Sequence, residues 1–169
     1  MANTYTAIAT VTATTSVASL AFTSIPATYT DLLLKISTRS TYSANFSRAR
    51  LQINSLTTGY NNRLVYGQGT TTSSASSTDY ITFFYSTGST ATASTFANIE
   101  IYLPNYTSAN AKSASSDSVT ENNATEAFLA LAAGLQTSTA AISSLTITDA
   151  NAGDFVQYST ATLYGIKNS

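Results

Sequence analysis

Alternation of apolar and polar residues with a period of two runs through most of this 169-residue chain, and few folds accommodate it. Successive side chains of a strand point to opposite faces, so the pattern marks strands with one buried face. Leu32, Leu34 and Ile36 point one way, with Lys35 and Ser37 between them. Ala49, Leu51 and Ile53 alternate with Arg48, Arg50, Gln52 and Asn54, and Ala97, Ile99, Ile101 and Leu103 with Asn98, Glu100 and Tyr102. Leu145 and Ile147 alternate with Thr146 and Thr148, and the run from Tyr158 to Ile166 sets Tyr158, Thr160, Thr162, Tyr164 and Ile166 against Ser159, Ala161, Leu163 and Gly165. Further strands are expected at Thr4–Val11, Val17–Phe22, Arg63–Tyr66, Tyr80–Tyr85 and Lys112–Val119.

These runs recur about every 12–17 residues, separated by turn-like stretches at Ser24–Thr28, Thr57–Asn62, Gly67–Ser77, Ser86–Ser94, Pro104–Ala111 and Asp149–Asp154. Short strands at such spacing, without helical periodicity between them, predict a single all-β domain over 1–169. The architecture expected from this spacing is an antiparallel β-sandwich or barrel of about 8–10 strands. Glu126–Leu135 is ambiguous: its Ala, Leu and Phe suit a helix by propensity, while its continuous apolarity suits a strand buried on both faces, and its neighbours favour the strand. Gln68–Ser77 is of low complexity and reads as a mobile or partner-supported loop.

Composition then gives the polar positions their meaning. Thr (31) and Ser (25) supply 56 of the 169 residues, while charged residues make up 9%. Hydrophobic residues at 43% and aromatics at 11% separate this chain from disordered Ser/Thr-rich tracts. Threonine is β-branched and neutral, and suits the outer face of a sheet. Few Lys or Glu are present to keep sheet edges apart, and the net charge is -1, so the edges are either closed by the fold or meet partners. Tyr-rich, Lys-poor surfaces are typical of subunit contacts, and symmetric self-association is expected.

Several chemistries are excluded outright. The chain has no Cys and no His, which removes disulfides, Cys/His zinc sites and His-based triads. Its charge balance leaves no electrostatic footprint for nucleic acid. No apolar run of membrane-spanning length occurs, and Met1–Thr15 lacks the features of a secretory signal, so synthesis in the cytoplasm without a leader is expected. The carboxylates Asp31, Asp79, Glu100, Asp117, Glu121, Glu126, Asp149 and Asp154 show no spacing that singles out an acid–base pair. The chain does not read as an enzyme, and no cofactor is expected.

The remaining candidates are weaker. Asp149-Ala150-Asn151-Ala152-Gly153-Asp154 resembles the opening of a calcium loop, but Thr160 stands where the bidentate Glu belongs, and an Asx/Gly turn is the plainer reading. Asn45-Phe46-Ser47, Asn105-Tyr106-Thr107 and Asn123-Ala124-Thr125 match the glycosylation sequon by the chance expected of such a composition. Tyr60-Asn61-Asn62-Arg63 with Tyr66, and Asn105 with Tyr106, have the residue types of a saccharide site, in which a ring stacks on a sugar and amides bond its hydroxyls; the same tyrosines also read as sheet-rim or subunit packing. Arg48 and Arg50 on one strand face could grip an acidic partner, or pair across strands with a carboxylate such as Glu100.

Phe22-Thr23-Ser24-Ile25-Pro26-Ala27-Thr28-Tyr29-Thr30-Asp31-Leu32, Asp117-Ser118-Val119-Thr120-Glu121-Asn122-Asn123-Ala124-Thr125 and Tyr158-Ser159-Thr160-Ala161-Thr162-Leu163-Tyr164-Gly165-Ile166-Lys167 are distinctive strings. With the opening Met1-Ala2-Asn3-Thr4-Tyr5, they resemble small Ser/Thr-rich virion proteins of tailed bacteriophages, especially marine phages, over nearly the whole chain. The resemblance implies a jelly-roll-like sandwich on the virion surface, of a type also found as the heads of tail fibres, and brings no functional residues with it. It sets three expectations: a capsid decoration, cement or head-fibre protein; partners in the major capsid protein or other virion proteins; and a homotrimer as the first guess for self-association. The alternative is the receptor-binding tip of a tail fibre or spike that recognises host surface glycans.

Overall fold

The computed structural model describes residues 4–122 and 126–167. The sequon Asn123-Ala124-Thr125 and the opening Met1-Ala2-Asn3 lie outside them. Twelve antiparallel strands form, and no helix among the described residues. They are β1 (Tyr5–Thr12), β2 (Ser19–Phe22), β3 (Asp31–Thr38), β4 (Phe46–Ile53), β5 (Tyr60–Gln68), β6 (Thr71–Ser77), β7 (Ile81–Thr87), β8 (Ala97–Leu103), β9 (Lys112–Asn122), β10 (Glu126–Gln136), β11 (Leu145–Asp149) and β12 (Thr160–Ile166). One sheet has eight strands in the order β1-β12-β3-β8-β9-β10-β5-β6; the other has four, β2-β11-β4-β7. The architecture is that of a β-sandwich, with more strands than the alternation alone predicts.

The order has a simple logic once two hairpins are set aside. Without β5–β6 and β9–β10, eight strands remain, and they pair in a nested series: β1 with β12, β2 with β11, β3 with β8, β4 with β7. Both inserted hairpins lie beyond β8 and join where β10 pairs with β5, which widens the large sheet to eight strands.

The alternating runs meet between the sheets. Leu32, Leu34 and Ile36 of β3, Ala49, Leu51 and Ile53 of β4, Ile99 and Ile101 of β8, Leu145 and Ile147 of β11, and Ala161 and Leu163 of β12 share one core and are each no more than 3% exposed. Gly165 is required in β12, because a Cβ there would stand 2.3 Å from the ring of Tyr29.

Three segments depart from the expectation. Gln68–Ser77 is not a loop: Thr71–Ser77 is edge strand β6, which pairs with β5 from Gln68↔Thr71 to Asn62↔Ser77. Gly69, at φ +55, closes the two-residue hairpin turn between them. An edge strand that covers no core shows no apolar alternation, so Ser and Thr hide its pairing. Tyr60–Asn62, expected in a turn, opens β5. Glu126–Leu135 is the strand β10, but one face of it is bare: Phe128 and Ala130 are buried, while Leu129 is 52% and Leu131 58% exposed.

Strand β7 is covered on both faces. A β-bulge in β7, opposite Ala49 and Arg50 of its partner β4, lets Ile81 and Phe84 both reach the main core. Tyr85 joins a second cluster with Leu64, Phe128 and Ala130. The hairpin strands therefore curl round the β7 edge and bury its other side. Their hydroxyls also close that edge: the Tyr85 N–H donates to Ser118 Oγ at 3.3 Å, and Thr87 Oγ1 bonds Thr120 Oγ1 at 2.7 Å.

Truncation should separate the two kinds of leucine. Leu34→Ala in the core should cost about 2–5 kcal/mol, while Leu131→Ala on the bare face should stay within about 0.5 kcal/mol. Urea unfolding of the two variants beside wild type, at high dilution where the chain is monomeric, checks both values.

Candidate functional site

The curl of the hairpin strands leaves a hollow of 450 Å³ beside the second cluster. Phe46 and Arg48 of β4 and Tyr85 of β7 form one wall, because β4 alternates and Arg48 pairs with Tyr85. Leu64, Tyr66 and Gln68 of β5 and Phe128 of β10 form the other. Tyr42 and Asn151, from the loops after β3 and β11, close one end.

The rings make a continuous stack. Phe128 lies 4.2 Å from Tyr85, 4.5 Å from Phe46 and 5.2 Å from Tyr66 between centroids, and the last pair is nearly parallel at 17°. Phe46 meets Tyr85 edge-on at 82°. Such pairs add roughly 0.5–1.5 kcal/mol each beyond the area they bury and hold the wall rigid. The Arg48 side chain is exposed and makes no hydrogen bond or ion pair among the described residues, so its guanidinium is available to a ligand. Asn151 is fixed by its side-chain N–H to Ser47 Oγ at 3.0 Å. Burial pushes the Tyr85 phenol up to about 12, against the pull of the Arg48 charge. Rings, one cation and amides around a hollow can stack against and bond a polyhydroxyl ligand; they offer no nucleophile–base pair.

Of the saccharide and acidic-partner candidates, the structure brings only Arg48 and Tyr66 to this hollow. Tyr60 is 4% exposed, and its hydroxyl accepts from Ile53 N at 2.9 Å and donates to Leu56 O at 3.2 Å. It fastens the β4–β5 connection. Asn62 is buried, and its amide donates to the carbonyls of Asp79, at 3.0 Å, and of Tyr80. Tyr106 is fully buried, donating to Pro26 O and accepting from Tyr29 N. Neither Tyr60 nor Tyr106 can present a ring to a saccharide. Asn105 sits at φ +47 in a turn, its N–H bonded to Asp31 Oδ1 at 2.8 Å. Arg50 is engaged, donating to Thr148 Oγ1 at 2.9 Å and lying 4.5 Å over the Tyr80 ring. Arg63 points to the opposite face of the large sheet from the hollow. Pairing of Arg48 or Arg50 with Glu100 does not occur, because Glu100 belongs to the other sheet and bonds Lys35.

Phe46 and Asn151 entered the sequence reading only within a sequon and a calcium-like loop, and Tyr42, Tyr85 and Phe128 as no site at all. Phe46 stands in step with Arg48 and Arg50, and that was the one available signal; the rest are joined by contacts distant in sequence.

Two carboxylates are structural. Asp149 is buried, and its Oδ1 accepts from Ser47 Oγ at 2.8 Å and from Asn151 N at 2.7 Å, while its Oδ2 accepts from Ser40. The bond to Asn151 makes Asp149–Asp154 an Asx turn, with the carboxylate facing inward hydroxyls. Asp31 is buried beneath Tyr102, whose hydroxyl donates to it at 2.8 Å. Buried Lys112 donates to Ser108 O at 2.7 Å, and burial lowers its pKa. No group of three or more metal-ligating side chains gathers among the described residues. No protein-family model, curated protein or solved structure matches the chain.

Burial is the first cause that holds the Tyr85 and Tyr102 phenols up to about 12, with the bond to Asp31 adding to it for Tyr102. An unfolded tyrosine titrates near about 10. The folded state therefore keeps these protons longer, so their contribution to stability is complete below about pH 10 and is lost as pH rises toward about 12. Ultraviolet titration of tyrosinate should show late-titrating groups, with Tyr85 and Tyr102 among the last. Asp31→Asn should bring Tyr102 down and leave Tyr85 in place.

Proposed function

We propose that this chain is a structural protein of a bacteriophage virion, an external capsid decoration or head-fibre protein that self-associates and binds the particle surface. The observation that carries this reading is the bare outer face of β10 and its neighbour β5: Leu129, Leu131, Leu135 and Val65 are between 39% and 59% exposed. Contiguous exposed apolar side chains mark a surface that meets another protein. The three strings that resemble phage virion proteins point the same way. The reading takes the eight nested strands as a jelly roll, supported by the pairing of first with last, second with seventh, third with sixth and fourth with fifth.

A second reading, the glycan-binding tip of a tail fibre or spike, draws on the aromatic hollow with its unpartnered Arg48. Quantifying the chain against the major capsid protein in purified particles separates the two. Decoration requires a copy number that tracks capsid subunits. A few copies per particle, together with host-glycan binding lost in both Arg48→Ala and Tyr66→Ala, would establish the tip. Absence from particles would overturn both.

A further inference from the structure

The outward face of β9, β10, β5 and β6 has a property that a generic protein-contact surface does not require. Strand β10 carries apolar side chains on both faces: Phe128, Ala130 and Ala132 inward, Leu129, Leu131, Ala133 and Leu135 outward. Sequences of that kind belong to strands covered on both sides. The inner side is covered by β7 through Tyr85, but the outer side is bare.

Two charges flank the stripe on opposite sides. Arg63 of β5 pairs with Ala133, and Asp117 of β9 pairs with Leu131. They stand two strands apart, about 10 Å at the usual strand spacing. Neither has a partner of opposite sign among the described residues. Arg63 donates to Asn61 Oδ1 and Asn62 O, and the ion pair formed among the described residues is Lys35–Glu100. A cation on one side of an apolar centre and an anion on the other make a patch complementary to itself. Beyond Arg63 and Val65, the short side chains Ser74 and Ser76 of β6 leave a shallow hollow of 680 Å³ that accommodates larger side chains from a facing surface.

We propose that a second copy of this chain covers this face in an isologous dimer. The two-fold axis lies in the plane of contact and crosses β10 between Leu131 and Ala133. Under that axis Arg63 of each copy lies over Asp117 of the other, and the leucine stripes meet at the centre. The outer face of β10 is then buried like its inner face, and both unpaired charges gain partners. This inference goes beyond the virion reading and stands without it, because it concerns the purified chain alone.

Sedimentation velocity over a wide concentration range tests it, with circular dichroism to confirm folding of each variant. Wild type should shift from 17.7 kDa to twice that mass as concentration rises. Leu131→Lys should abolish the shift. Arg63→Asp and Asp117→Arg should each weaken the dimer about 100-fold, because each sets like charges against each other. The double swap Arg63→Asp with Asp117→Arg should restore it. A chain that stays monomeric at the highest concentration, a trimer, a dimer indifferent to Leu131→Lys, or a double swap that stays monomeric would each overturn the proposal.

Discussion

The structure depends on how an edge strand is buried. A four-stranded sheet faces an eight-stranded one, so at the usual strand spacing one sheet is about twice as wide as the other. The excess strands cannot remain flat with a bare inner face, and they curl round β7. That curl places Phe84 in one apolar cluster and Tyr85 in another. It also creates the hollow beside Tyr66 and Arg48, and turns the opposite face of β10 to solvent. The aromatic hollow and the leucine stripe are two sides of one accommodation.

Hydroxyls have a specific part in it. Most proteins guard an open edge with charge. Here Ser118 and Thr120 of β9 reach the β7 edge, one accepting from its backbone and the other bonding Thr87. A hydroxyl can both accept and donate without carrying a charge into a half-buried seam, where an ion would lose much of its hydration. A chain that closes edges in this way has less need of Lys and Glu, and its low charge follows from the architecture.

What could be read from the sequence follows the same division. Strands β3, β4, β8 and β11 each have one face on the core and one on solvent, so their alternation survives in the sequence and their pairing faces were legible. Strand β6 touches no core, so its serines carried no contrast. Strand β7 is buried on both faces and bulged, which erases the period-two signal in Ile81–Thr87. The tyrosines were misleading for a different reason. Tyr60 and Tyr106 lie beside turns, where a ring is usually taken as exposed, yet each turns inward because its hydroxyl can satisfy backbone groups that a tight connection leaves unpaired. Local sequence does not record which way such a side chain turns; the neighbour that supplies the partner carbonyl decides it.

Continuous apolarity in β10 pointed to burial on both faces, and the single chain meets only half of it. A strand interior to a sheet and apolar on both sides is unusual when one side faces water, because each exposed leucine forgoes roughly 1.5–3 kcal/mol of transfer free energy. Selection for folding alone would place Thr at Leu129 and Leu131, as it does at Thr146 and Thr148 on the outer face of β11. The contrast between those two strands, in one chain and one solvent, is what the proposed partner on the outer face of β10 would account for.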